Sequence, residues 1–62
     1  MVELIINYDK DNDVLFIMKK GRRVVERVPL NDYIVLGLDD KRDVVSVTVI
    51  SFRELMREIF GN

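Results

Sequence analysis

The sequence contains no cysteine and no histidine, and only one proline and three glycines among its 62 residues. Without cysteine, disulfides and thiolate metal sites are excluded. Without histidine, the chain lacks the commonest general base and the commonest metal ligand. A chain this short buries only about 60% of the surface that its unfolded form exposes, so a single copy is expected to be marginally stable. We therefore expect the fold to depend on very good packing or on oligomerisation.

The chain also has little excess of either charge and no long apolar run. Its net charge is −1, and 48% of its residues are hydrophobic and 34% charged. That balance is typical of a globular domain rather than a disordered segment. The N-terminus shows no basic-then-apolar leader, and no apolar run approaches the ~20 residues that a membrane span requires. These features predict a cytoplasmic protein without a membrane association.

Valine and isoleucine are prominent among the apolar residues of the sequence, and they occur in runs separated by short clusters of Asp, Asn, Gly or Pro. β-Branched runs with such punctuation predict strands. No connection is long enough for the crossover that a parallel pair needs, so the predicted sheet is an antiparallel meander. The five predicted strands cover residues 3–8, 14–19, 23–28, 33–38 and 44–50.

The last segment, SFRELMREIFGN, predicts a helix over residues 52–60. Ser51 and Glu54 have the spacing of a capping box, and Gly61 stands where a helix C-terminal cap belongs. The apolar residues recur at the spacing of a single helical stripe. They are Phe52, Leu55, Met56, Ile59 and Phe60.

These elements predict an α+β fold in which a five-stranded antiparallel meander carries the C-terminal helix packed on one face. A helix of this length, on the order of 15 Å, covers only part of a sheet. The second and fourth predicted strands are nevertheless apolar on both faces, which implies cover on both faces. Either the sheet curls into a partial barrel or a second chain covers the open face. We favour a homodimer.

The residues predicted to form this interface are Val14, Phe16 and Met18, which share one face of the second strand, whereas Leu15 and Ile17 share the other. The pattern alone does not show which set meets the helix. We assign the interface to the face that contains Met18, because the adaptable side chain of methionine is common at binding surfaces. Under the alternative interpretation, both sets are ordinary core of a curled monomer.

Three aspartates at alternate positions, Asp9, Asp11 and Asp13, have the spacing that opens a calcium loop. Such a loop also needs glycine at its sixth position and a bidentate glutamate at its twelfth, where this chain has Val14 and Lys20. Asp and Asn favour turn conformations and accept hydrogen bonds from the nearby backbone. We interpret the segment as a hairpin turn and predict neither a metal site nor a cofactor.

A basic patch of Lys19, Lys20, Arg22 and Arg23 surrounds Gly21. Such a hairpin tip is able to follow phosphates, but the calculated pI of 5.2 disfavours nucleic acid as a partner. In a meander this turn shares one end of the sheet with residues 39–43, which gives that end a predicted charge of +3 and the opposite end −3. Such polarity favours antiparallel association of two copies, or steers a charged partner.

The remaining functional groups do not predict catalysis. The chain has no glycine-rich phosphate loop and offers no nucleophile beside a base. Glu26 and Arg27 in the third strand can meet partners across the sheet, but cross-strand ion pairs are usually structural. We predict that the protein is not an enzyme.

Two blocks of the sequence resemble a widespread prokaryotic family of small domains of unknown function. The first block has the form Y-D-x-x-x-D-x-L-Y-I, and the second V-I-L-D-x-D-x-x-G-x-V-V-G-I-E-I-L. The first is matched by Tyr8, Asp9, Asp13, Leu15, Phe16 and Ile17. The frame of the second is matched by residues 34–36, Asp39, Val44, Val45, Val47, Val49 and Ile50. The departures are Gly37, Arg42, Ser46 and Thr48, which replace Asp, Gly, Gly and Glu.

The resemblance implies a small β-sheet domain without established catalytic chemistry. It also implies that in some genomes the adjacent gene encodes a protein that looks like a small toxin. The sequence thus predicts a non-catalytic protein–protein interaction module that acts as a homodimer. One version of this prediction is an antitoxin-like role, in which the module binds a small protein partner. The alternative is nucleic-acid binding through residues 19–23.

Overall fold

A computed structural model describes residues 2–61 of the chain. As predicted, the chain has an α+β fold with five antiparallel strands in one sheet and a C-terminal helix. The sheet is open and does not close into a barrel. The elements are β1 (Leu4–Asp9), β2 (Val14–Lys19), β3 (Glu26–Pro29), β4 (Ile34–Leu38), β5 (Val44–Ile50) and α1 (Phe52–Phe60).

The strand order differs from that of a meander. It is β1-β2-β5-β4-β3, so β5 separates β2 from β4 and β3 lies at the far edge. The physical reason lies in residues 20–25, which do not make a hairpin but pass across the end of β5 and β4 before β3 begins at Glu26. As a result β5, a nearly continuous apolar strand, is central and pairs on both sides.

The register of β2 and β5 defines the two faces of the sheet. Directly paired residues point to the same side. Val14, Phe16 and Met18 therefore share a face, here called the Phe16 face, with their β5 partners Ile50, Thr48 and Ser46. The opposite side, called the Ile17 face, carries Leu15 and Ile17 with their partners Val49 and Val47.

The apolar core is small and lies on the Ile17 face. Leu38, Val45 and Val49 are the buried hydrophobic residues of the described chain, and Val45 is only 2% exposed. Val45 lies where the register passes from the pair Gly37–Ser46 to the pair Leu38–Val44, so that β5 has one extra residue. Such a bulge bends the strand and increases its twist. Both residues beside this bulge, Val45 and Leu38, are buried.

The helix does not begin with the predicted capping box. Ser51 has a left-handed backbone, with φ of 54°, and its side chain makes no capping hydrogen bond. It forms the sharp corner between β5 and α1, which are separated by this single residue. The caps come instead from Asp13, whose carbonyl accepts the N–H of Phe52 at 3.1 Å and whose carboxylate accepts the N–H of Arg53 at 3.0 Å.

The helix also covers less of the sheet than its stripe predicts. None of its residues is buried. The Phe52 ring packs edge-on against Tyr8, with 5.8 Å between the ring centroids, but Ile59 and Phe60 at the far end are 59% and 78% exposed. The second half of the stripe therefore does not pack on the sheet. Over residues 2–61, no helix has the length and apolar character needed to cross a membrane.

Candidate functional site

The turn between β1 and β2 uses its aspartates to hold itself together. One carboxylate oxygen of Asp9 accepts the backbone N–H groups of Asp11 and Asn12, at 3.1 and 3.2 Å. The other accepts the Asn12 side-chain amide at 2.8 Å, and this hydrogen bond is the main reason that the pKa of Asp9 is lowered. In the described part of the chain, no three acidic side chains converge as metal ligands. The turn interpretation accounts for Asp9.

Asp13 joins this turn to the helix. Its Oδ1 accepts a hydrogen bond from the Tyr8 hydroxyl at 2.5 Å and lies 3.3 Å from Nε of Arg53. Its Oδ2 accepts the Arg53 backbone N–H at 3.0 Å. The Tyr8 bond is the main cause of a lowered pKa at Asp13 and of a raised pKa at Tyr8. The strand register explains why Asp13 contacts Arg53. Val14 is opposite Ile50, so the preceding residue, Asp13, lies beside the start of α1.

The opposite end of the sheet is held by Asp39, which is only 6% exposed. Its Oδ1 accepts the N–H groups of Lys41 and Asp43, both at 2.9 Å. Its Oδ2 pairs with the Arg22 guanidinium, from the segment that crosses this end. The bond from the Asp43 N–H contributes most to a lowered pKa at Asp39, and Arg22 adds to it. Asp39 therefore fixes its own turn and the crossing segment together.

Ion pairs neutralise half of the predicted basic patch. Lys20 lies 3.7 Å from Glu3, and Arg22 pairs with Asp39. Lys19 and Arg23 have no acidic group within 4.0 Å among the residues that the structure describes. Arg42, at the same end of the sheet, pairs with Glu26 at 2.9 Å. Glu3 and Glu26, omitted from the predicted sum, reduce the charge of this end from +3 to +1.

The charged end also contains an open cavity, of about 470 Å³. Its walls have mixed charge, with Arg22, Arg23 and Lys41 facing Asp39 and Asp40. A site for the phosphates of a nucleic acid is expected to have mainly basic walls. The lining of this cavity is thus closer to an ordinary ion-paired surface.

Close packing holds the crossing segment on the sheet at Gly37. A Cβ atom at this position would collide with Ser46 Oγ and would lie 2.9 Å from Cγ2 of Val24. Ser46 is directly opposite Gly37 and is 3% exposed, and its hydroxyl has no hydrogen-bond partner. Gly37 and Ser46 are thus one packed pair beneath Val24.

The Phe16 face contains the residues predicted as an interface. Val14, Phe16 and Met18 are half-buried in the sheet, and two aliphatic residues paired with them are more exposed. Ile5, opposite Met18, is 46% exposed, and Ile50, opposite Val14, is 40% exposed. Tyr8, which Phe52 contacts, is paired with Leu15 and therefore belongs to the Ile17 face. The helix begins on the side away from the predicted interface.

The Ile17 face has an apolar surface of its own. Leu4 and Ile6 on β1 are 56% and 64% exposed. Leu4, Ile17, Val45 and Val47 line a shallow cavity of about 180 Å³ beside β1. Sequence reasoning missed this region because it treated the first strand as an ordinary member of the sheet. The signal was present in LIINY, which has three consecutive aliphatic residues and no charge.

Comparison with known proteins identifies the family to which the chain belongs. The family model with the description "Protein of unknown function (DUF2283)" matches residues 5–53. The chain belongs to the DUF2283 family. The part matched by DUF2283 contains both aspartate-centred junctions, with Asp13 bound to Arg53 and Asp39 to Arg22. No curated protein and no solved structure matched the chain.

Proposed function

We propose that this DUF2283 domain is a non-catalytic protein–protein interaction module that works as a homodimer. The observation that carries the proposal is an open sheet with aliphatic side chains exposed on both faces. Ile5 and Ile50 are 46% and 40% exposed on the Phe16 face, and Leu4 and Ile6 are 56% and 64% exposed on the other. Leu4 and Ile6 are neighbours on one face of β1, and an exposed apolar patch marks interaction sites in soluble proteins. A second chain is the cover that so small a fold requires.

The uses of the acidic groups support a role without catalysis. Asp9, Asp13 and Asp39 all have lowered pKa values, and in each the main cause is a hydrogen bond from within the fold. The donors are the Asn12 side chain for Asp9, the Tyr8 hydroxyl for Asp13 and the Asp43 N–H for Asp39. A catalytic acid or base needs a pKa tuned towards the working pH and a free face towards a substrate. These carboxylates have the opposite properties.

The charge distribution supports a protein partner over a nucleic acid. At the end with the basic patch, Lys20 and Arg22 face acidic groups, and the sum for that end is only +1. Binding to a phosphate backbone depends on unpaired basic groups and falls steeply with salt. Neutralising Lys19 and Arg23 together should therefore leave binding of the module to its partner largely intact.

The finer form of the proposal is an antitoxin-like role, in which a small protein covers the Phe16 face. The test is co-purification of the domain with the product of a small open reading frame beside its gene. We expect Phe16→Asp to abolish co-purification. Leu30→Asp places the same charge at an exposed aliphatic residue beside β3, away from this face, and should have no effect. Equal capture by both variants would contradict the role of this face.

Self-association is tested by the mass in solution, measured by light scattering over a dilution series at low and high salt. The expected mass is twice the 7.3 kDa of the chain. Because the contact surface is mainly apolar, the dimer should persist at high salt. A monomer at every concentration would contradict the proposal.

A further inference from the structure

We propose that the free edge of β1 (Leu4–Asp9) is the dimer contact, where it pairs antiparallel with β1 of a second copy and joins two five-stranded sheets. The inference rests on the proposed function and names its partner and surface. It follows from a difference between the two edges of the sheet. These edges are β1 and β3.

The β3 edge is protected against pairing. The N–H of Leu30 donates to the carbonyl of Ile34 at 2.8 Å, which fixes the alternation of the β3–β4 ladder. The outward backbone groups of β3 are then those of Arg27 and Pro29. Proline has no N–H to donate, and a charge on an edge opposes a second strand.

The β1 edge has no such protection. The N–H of Lys20 donates to the carbonyl of Glu3 at 2.9 Å, so residues 5, 7 and 9 bond to β2. The outward N–H and C=O groups belong to Leu4, Ile6 and Tyr8, none of them a proline or a charged residue. Their side chains are 56%, 64% and 40% exposed. A strand with free backbone groups and exposed aliphatic side chains is a template for pairing.

One antiparallel register pairs all of these groups. With Ile6 opposite Ile6 of the second copy, Leu4 is opposite Tyr8, and each such pair forms two backbone hydrogen bonds. Ile6 then packs against Ile6 of the second copy, and Leu4 packs against Tyr8, so exposed apolar surface is buried on both copies. The register also sets Glu3 opposite Asp9, but Lys20 lies 3.7 Å from Glu3, and the oxygens of Asp9 already accept hydrogen bonds in their turn.

The charges beside β1 are complementary under the same two-fold axis. Lys19 and Lys20 lie at one end of the β1–β2 pair, and Asp9 and Asp11 at the other. Antiparallel pairing brings the lysine end of each copy beside the aspartate end of its partner. Within the described residues, Lys19 has no acidic neighbour in ion-pair range. Opposite charges that meet in this way favour the correct orientation of two surfaces.

The pairing also limits its own growth. A two-fold contact uses the same edge on both copies. After β1 has paired, the outer edges of the joined sheet are the two β3 strands, each with Pro29 and Arg27 outward. Assembly therefore stops at the dimer.

The test compares two aliphatic-to-lysine substitutions of similar exposure. Ile6 on β1 is 64% exposed, and Leu30 beside the β3 edge is 61% exposed, so neither substitution removes core. We expect Ile6→Lys to weaken the dimer by on the order of 100-fold in Kd, because lysine would be buried at the two-fold axis. Leu30→Lys should leave Kd unchanged. Circular dichroism checks that both variants retain the wild-type fold.

Two further variants keep the test decisive if Ile6→Lys is ambiguous. Ile6→Pro removes an outward N–H and spares the β1–β2 ladder, so it should give a folded monomer. Ile6→Cys should form a disulfide-linked dimer on mild oxidation, since a hydrogen-bonded antiparallel pair has Cα atoms about 5.5 Å apart. Leu30→Cys should not. The natural chain has no cysteine, so any cross-link comes from the introduced thiol.

The outcomes separate this inference from the proposed function. If the wild type is a dimer and both Ile6→Lys and Ile6→Pro remain dimers, the β1 contact is wrong and the interaction module stands. Loss of that dimer by Phe16→Asp would then move the contact to the Phe16 face. If the wild type is a monomer at every concentration, both proposals fall.

Discussion

The two ends of the sheet are each held by one aspartate, and the two aspartates hold different things. Asp39 lies in a turn with its side chain 7% exposed and binds both that turn and Arg22 of the crossing segment. Asp13 has its side chain 19% exposed and binds Tyr8 and the first turn of the helix. One junction fixes the crossing segment to the end of the sheet. The other attaches an element that buries none of its own residues.

This difference shows where the fold is cooperative. The crossing segment has to be in place for β3 to reach its edge position, so the Asp39 junction is coupled to the strand order itself. The helix follows the last strand and is held at its beginning by Asp13 and the Tyr8–Phe52 contact. We expect loss of the Asp39 junction to unfold the domain and loss of the Asp13 junction to release the helix from an intact sheet.

The largest effect is expected from Asp39→Ala. It leaves the N–H groups of Lys41 and Asp43 without their acceptor and the Arg22 guanidinium without its partner. Unpaired donors in a buried site are strongly destabilising. We expect a decrease in Tm on the order of 10 °C, with strand and helix signals lost together, measured by thermal circular dichroism.

The control for this prediction is Asp40→Ala, which removes the neighbouring exposed aspartate and should leave Tm nearly unchanged. The pH dependence gives a second check. Because the pKa of Asp39 is lowered in the folded state, its contribution is present above the usual value of 3.8 and is lost as the pH falls through the folded pKa. Asp39→Ala should therefore show a weaker acid dependence than the wild type. Equal acid profiles would contradict this account.

The next effect tests the close packing beside the Asp39 junction. Gly37→Ala brings a methyl group into Ser46 Oγ and against Val24, which overpacks the site. We expect the free energy of unfolding to decrease by about 1–3 kcal/mol in chemical denaturation. Ser46→Ala removes a buried hydroxyl that has no partner and should be nearly neutral alone.

The double variant Gly37→Ala/Ser46→Ala should recover most of that loss, because the colliding oxygen is absent. The recovery distinguishes a steric cause from a change in strand propensity, which the second substitution would not correct. If the double variant is as unstable as Gly37→Ala alone, the contact with Ser46 is not the cause.

A smaller and different effect is expected from Asp13→Ala. The first-turn N–H of Arg53 loses its carboxylate cap, and Tyr8 loses its hydrogen-bond acceptor. We expect loss of helical circular dichroism with little change in the strand signal, and a smaller decrease in Tm than for Asp39→Ala. Asp11→Ala, in the same turn, is the matched control and should keep the helix. Simultaneous loss of strands and helix would erase the distinction between the two junctions.

The local elements of this fold were predictable because each depends on neighbouring residues. β2, β5 and α1 occupy the predicted residues, since the β-branched runs and the helical stripe are local patterns. The strand order was not predictable in this way, because periodicity gives the faces of a strand and not its neighbours. Pro29 was the available signal, since a strand with proline favours an edge position.

The caps of the helix show the same limit. Ser51 and Glu54 match a capping box in sequence, but the sharp corner after β5 puts Ser51 in a left-handed conformation. Its role passes to Asp13, which is distant in sequence and near in the sheet. The predicted interface residues Val14, Phe16 and Met18 were correctly grouped on one face by alternation. A meander would also leave β1 at an edge, but the identity of the other edge, β3 with its proline, follows only from the strand order.

The smallest effect concerns Tyr33, beside the helix at the Asp13 end. Partial burial, followed by hydrogen bonding to Glu58 and the charge of Glu54, raises the pKa of Tyr33 from 10.0 to about 12. The folded state thus keeps a proton that the unfolded state loses. Its contribution to stability is present below pH 10 and is lost as the pH rises through about 12.

The measurement is the ultraviolet absorbance of tyrosinate during an alkaline titration of Tyr8→Phe, which leaves Tyr33 as the one tyrosine. Its midpoint should be near 12. In the additional presence of Asp13→Ala, release of the helix removes the burial and the glutamates, and the midpoint should return towards the usual 10.0. A midpoint unaffected by Asp13→Ala would mean that the helix stays attached without its cap. The contrast between a junction that builds the sheet and one that attaches the helix would then need another basis than Asp13.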